Sequence, residues 1–198
     1  MDFFNICAIV GFVVVTVVLS LATAGDAAKM RQASMPQTII LYLTGGLLCL
    51  TGTMNWMGWR TPVRVSSVAR GEVPRPGVFT LMEDIVAVDG GGETTFRRAL
   101  AAKYEGDPRF QRLIIHLNWF WGVGTVLVGV VTTVIVYAVQ DINIVFALGK
   151  WTMFVRPKLT LIGWCIPWIW GAVGAALTIL WSRRKIHFGS EKRKSSSV

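Results

Sequence analysis

Four ionisable side chains stand where chemistry could be done. Glu83, Asp84 and Asp89 make an acidic cluster, and His116 sits near the start of a long apolar block. Neighbouring carboxylates can hold a divalent cation, or divide the roles of general acid and base. The spacing matches no metal-ligand template, and the same groups can serve as solvated partners of Arg97 and Arg98. An ionisable group near a membrane is a functional candidate, although at headgroup depth His116 can simply reach water. Glu83, Asp84 and His116 are therefore the candidate acid/base groups. Haem held by two histidines needs a second buried ring. The other histidine, His187, lies in the basic tail, so neither haem nor any other cofactor is expected.

A second pattern is Ile85-Val86-Ala87-Val88 followed by Asp89-Gly90-Gly91-Gly92 and then Glu93. A strand, a glycine turn and a helix start can cradle phosphate on backbone amides. The glycine spacing is not that of a dinucleotide fingerprint and no P-loop lysine follows, so the glycines are read as a turn. Other chemistry is missing. No Ser/His/Asp arrangement, His-x-x-x-His or Cys-x-x-Cys occurs. Cys7, Cys49 and Cys165 all fall in apolar blocks, which gives no disulfide framework and no thiolate metal site.

The elements that must carry these groups are long and apolar. Hydrophobic residues make up 53% of the chain and charged residues 16%, where soluble domains carry about a quarter charged. Phe3–Ala24, Thr38–Trp59, Leu113–Val139 and Leu159–Trp181 contain no Lys, Arg, Asp or Glu. Each is long enough for a helix to cross a hydrocarbon layer of about 30 Å. The expected fold is an all-α membrane protein, a four-helix transmembrane bundle with a central cytosolic loop. Residues 1–59 form the first hairpin, 60–112 the loop, 113–182 the second hairpin and 183–198 a basic disordered tail. The first block can also be read as a cleaved signal peptide, since Ala22-Thr23-Ala24 has small residues at a cleavage spacing. Its length, and the lack of positive charge before it, favour a retained span. Spans without Asp, Glu, Lys or Arg exclude a proton relay or a midplane ion site.

Charge sets the orientation. The net charge is +9, and the excess borders the spans rather than forming a nucleic-acid face. Of the 20 Lys and Arg residues, fifteen lie in the central segment and the tail. Positive residues mark the cytosolic side, so both termini and the central segment are expected there. Arg183, Arg184 and Lys185 begin a polybasic tail that should attract an anionic leaflet. Small residues at four-residue spacing (Gly45, Cys49 and Thr53; Thr125, Gly129 and Thr133; Gly171 and Ala175) suit close helix packing.

Within the central segment, prolines make Arg60–Pro76 irregular, and Val78–Val88 reads as a short helix or strand. Phe96, Leu100 and Tyr104 share one face of an amphipathic helix with Arg97 and Arg98 off its centre, a candidate interface for lipid or a partner protein. Gly106 ends that helix. Asp107-Pro108 then caps a helix expected to run through the third span.

Arg75-Pro76-Gly77, the run Glu83 to Gly92, Phe96-Arg97, Tyr104-Glu105, Pro108-Arg109-Phe110 and Trp119-Phe120-Trp121 carry a likeness. Together they resemble a segment of small, uncharacterised multi-pass membrane proteins of filamentous fungi. The resemblance implies a membrane class and brings no mechanism. The leading expectation is a non-catalytic accessory protein that binds lipids, a partner protein or further copies of itself. The alternatives are a small membrane-bound biosynthetic enzyme acting on a lipophilic substrate, and a transport accessory subunit.

Overall fold

A computed structural model describes residues 3–24, 35–86, 93–138 and 162–195. Six helices account for nearly all regular structure: α1 (Phe3–Thr23), α2 (Pro36–Met57), α3 (Gly77–Asp84), α4 (Glu93–Gly106), α5 (Pro108–Ala138) and α6 (Ile162–Ser195). Among the described residues there is no strand, only an isolated bridge between Val65 and Val68. Two helices, α2 and α5, are long and apolar enough to cross a membrane. The apolar stretches Cys7–Thr23 and Ile166–Ser182 are shorter.

Helices α2 and α5 form the central pair, and glycine is what lets them meet. A methyl group added at Gly45 would stand 2.8 Å from Val126 and 2.9 Å from the Gly122 carbonyl. One added at Gly122 would stand 3.2 Å from the Cys49 amide nitrogen. Further along, Gly52 faces Asn118 and Gly129 faces the Tyr42 ring. The partner number on α5 rises as the number on α2 falls, so the two helices run antiparallel. The Tyr42 hydroxyl and Thr133 Oγ1 close the far end at 2.9 Å. Helix α1 packs on α2 where Gly11 meets Leu43.

Helix α6 packs on α5 through indoles. Trp121 Nε1 donates to Thr178 at 3.2 Å, and Trp170 Nε1 donates to Thr125 at 3.3 Å. The glycines beneath these rings are Gly124 and Gly174. Gly171, which the small-residue spacing singled out, has open space around it. Helix α6 runs through Pro167 to Ser195, where the sequence suggested a tail without structure.

The polar segment folds into a cap on one end of this pair. Gly58, in the left-handed region at φ 68°, ends α2. The Trp59 amide then returns to the Met54 carbonyl at 2.9 Å, which satisfies a group the helix end would leave bare. The chain next makes an irregular hairpin. The Thr61 amide bonds the Glu72 carbonyl, and Val65 and Val68 exchange amide bonds around a turn with Ser66 at φ 49°. Asp107 caps α5 by accepting from the Arg109 amide at 2.9 Å, as the Asp-Pro pair predicts.

Candidate functional site

The cap has two polar centres. The first is Asn118, fully buried on α5. Its Nδ2 donates to the Leu48 carbonyl of α2 at 2.9 Å, and its Oδ1 accepts from the Val78 amide of α3 at 3.2 Å. One amide thus ties three helices together. Gly77 is needed beside it, because a methyl there would lie 2.6 Å from Thr51 Oγ1. Asn55 adds a bond from its Nδ2 to the Pro74 carbonyl at 2.8 Å. Between Asn55, Trp56, Pro76, Asn118 and Trp119 lies a cavity of about 60 Å³. That is room for ordered water, and well short of the roughly 300 Å³ of a small-molecule site.

The second centre joins the hairpin turn to α3 and α4. Ser66 Oγ donates to Asp84 Oδ1 at 2.6 Å, and Ser67 Oγ donates to Glu83 Oε2 at 2.9 Å. Arg97 stands 3.6 Å from Asp84. Arg75 reaches three groups: Glu105 at 2.9 Å, Ser67 Oγ at 3.4 Å and the face of the Phe79 ring at 4.9 Å. Glu105 is largely exposed, so its pair with Arg75 is weakly held. Glu83 is buried, and its Oε1 has no hydrogen-bond partner.

The candidate acid/base groups are thus already engaged. Glu83 and Asp84 are both held by the Ser66–Ser67 turn. His116 is not brought to them by any bond: its Nδ1 donates to the Arg112 carbonyl at 2.6 Å, and its ring meets Trp181 edge-on at 5.8 Å. Among the described residues no group of three His, Cys, Asp or Glu side chains could hold a metal. Asp89 and Gly90–Gly92 lie outside the described residues. Ile85 and Val86 continue α3 as a helical turn, so the strand of a phosphate cradle does not form there.

The amphipathic face of α4 requires a correction. Leu100 and Tyr104 are buried and Phe96 is partly covered, because they pack on Phe79, Ile114 and Met82 of the chain itself. The Phe79 and Tyr104 rings meet edge-on with centroids 4.9 Å apart. Leu100 and Tyr104 are therefore taken up in packing α4 against α3 and α5, while Phe96 keeps part of its surface. Arg98 remains exposed and Arg97 turns to Asp84. The side chains of Arg183, Arg184 and Lys185 lie outside the described residues. The Tyr104 hydroxyl is enclosed without a hydrogen bond of standard geometry. Burial pushes its pKa above the usual phenol value, with Gln111 and the Arg75 charge pulling the other way.

Ser66, Ser67 and Arg75 were not legible as site residues. The one signal was Pro74-Arg75-Pro76: flanking prolines fix the backbone and so fix where the guanidinium points.

The fold and cap define an all-helical protein with two helices able to cross a membrane. Within that class, the chain belongs to a family described as a domain of unknown function (DUF8766), whose model matches residues 1–193. No curated protein and no solved structure matches it.

Proposed function

We propose that this chain is a four-span integral membrane protein with both termini cytosolic and no reaction of its own. Its cap would rest on the cytosolic leaflet and bind anionic lipid headgroups, as an accessory protein in the membrane. The observation that carries this reading is a collar of exposed apolar and cationic side chains where α2 leaves the bundle. Trp56 is 81% exposed and Trp59 51%, with Val63 and Val73 exposed in the hairpin that follows. Arg60, Arg64 and Arg70 are exposed between them. Amphipathic indoles favour the membrane interface, and arginines beside them favour anionic headgroups.

The test uses the full chain in lipid nanodiscs, with or without phosphatidylserine. Amide exchange across 59–73 should slow with the anionic lipid and recover in high salt. Equal exchange in both lipids counts against lipid contact at this collar. The orientation has its own test. A Thr94→Cys chain should react with a membrane-impermeant maleimide from the cytosolic side, and reaction from the opposite side alone would reverse the topology.

One observation favours a second reading, an enzyme acting on a lipophilic substrate: Glu83 Oε1 is enclosed without a partner. A Glu83→Gln, Asp84→Asn, His116→Ala variant that expresses normally and leaves the cell's lipid and metabolite profile unchanged removes that reading.

A further inference from the structure

We infer that Ser67 is a phosphorylation site, and that a phosphoryl group there releases α3 from the hairpin. Ser67 is exposed at the tip of the turn, while its neighbour Ser66 is 1% exposed and bonded to Asp84. Arg64 stands three residues before it, exposed, in the position that arginine-directed serine kinases select. Within the turn itself the bonds are the two amide bonds between Val65 and Val68 and Arg64 Nε on the Ser66 carbonyl at 3.0 Å, and the serine hydroxyls tie it to α3. The transfer is an ordinary one. Oγ of Ser67 takes the γ-phosphorus of ATP, the bond to the bridging oxygen of ADP breaks, and the hydroxyl proton passes to the kinase's carboxylate.

The consequence follows from what Ser67 touches. Among the described residues, its hydroxyl proton makes the hydrogen bond to the buried Glu83 carboxylate, whose other oxygen, Oε1, has no partner. Phosphorylation removes that proton and puts about −1.5 to −2 charge in its place, so the bond becomes a repulsion. Arg75, already 3.4 Å from Ser67 Oγ, gains a stronger acceptor than the exposed Glu105 and turns toward it. Glu83 is left buried beneath the cap without a donor, and α3 loosens. The added negative charge also opposes the attraction of Arg60, Arg64 and Arg70 to anionic lipid. That last step rests on the lipid contact proposed above.

The full chain, purified in mild detergent, is treated with ATP and an arginine-directed serine kinase, mapped by mass spectrometry and followed by hydrogen exchange. Phosphate on Ser67 is expected, absent from Ser67→Ala, with exchange across 77–84 about tenfold faster once the charged hydrogen bond is lost. No phosphate on Ser67 while a control substrate is labelled overturns the inference. So does phosphate on Ser67 with unchanged exchange across 77–84. Detergent opens both sides of the protein to the kinase and holds no anionic lipid. Failure here therefore speaks against the site, whereas maleimide labelling and nanodisc exchange judge the orientation and the lipid contact.

Discussion

Asn118 sits in the chain between Leu117 and Trp119, and its type alone suggests a bridge between helices. What the type does not say is that both ends of the amide are used, one on each neighbouring helix. Asn118→Leu keeps the volume but strands the Val78 amide and weakens the hold on Leu48. A loss of about 1–3 kcal/mol is expected, read as a lower unfolding midpoint in mild detergent. An unchanged midpoint would mean that water replaces both bonds. Tyr104 makes the opposite case. Its hydroxyl is enclosed without a good hydrogen bond, so Tyr104→Phe should be neutral or slightly stabilising. The folded pKa lies above the unfolded value of 10.0. The folded state therefore keeps its proton where the unfolded state loses it. Stability is full below pH 10.0 and falls as pH rises above it toward the folded pKa. Comparing alkaline unfolding of the wild type with Tyr104→Phe isolates this component, which the variant should lack. Glu83 marks the limit of sequence reading at this scale. Its burial comes from lying one helical turn after Phe79 on the packed face of α3, and nothing in the acidic cluster announces that.

At the scale of elements, periodicity and caps carried most of the fold. Asp107-Pro108 located the start of α5, Gly106 the end of α4, and the spacing of Phe96, Leu100 and Tyr104 gave the correct apolar face of α4. The same spacing could not say what covers that face, because a helix lying on lipid and a helix lying on its own chain need the same stripe. The small-residue stripes show a similar limit. Gly45 and Gly129 lie in the α2–α5 seam and Gly124 and Gly174 in the α5–α6 seam, while Gly171 meets nothing among the described residues. Spacing finds small residues but cannot rank the faces they lie on. Gly45→Leu should push α2 from α5 at a cost of about 1–3 kcal/mol, and Gly171→Leu should be tolerated. Matched melting curves of the two variants check this, and equal loss in both would place a packing surface at Gly171.

For the whole molecule, the antiparallel α2–α5 pair carries the cap, and α1 and α6 flank it. Charge-free blocks made the long apolar helices α2 and α5 legible, since the cost of burying charge is independent of fold detail. The cap was not legible, because its bonds join residues far apart in sequence, such as Ser67 with Glu83 and Arg75 with Glu105. Weakening the latch at one point should loosen the whole cap: Arg75→Ala should raise hydrogen exchange in the 61–76 hairpin and in α4 together. A rise confined to the hairpin would show that the cap is two units rather than one.

Helix α5 has 31 residues, about 46 Å at roughly 1.5 Å per residue. It passes without a break from the Asp107 cap through Asn118 to the far end of the seam. A hydrocarbon layer of about 30 Å is shorter than that rod, and layers of other thickness are met by tilting. Because Asn118 rivets α3 to the rod, any lean imposed by the lipid must be handed on to the polar end as a change of angle. For the membrane-spanning arrangement proposed above, bilayer thickness and cap attitude would then be one mechanical variable.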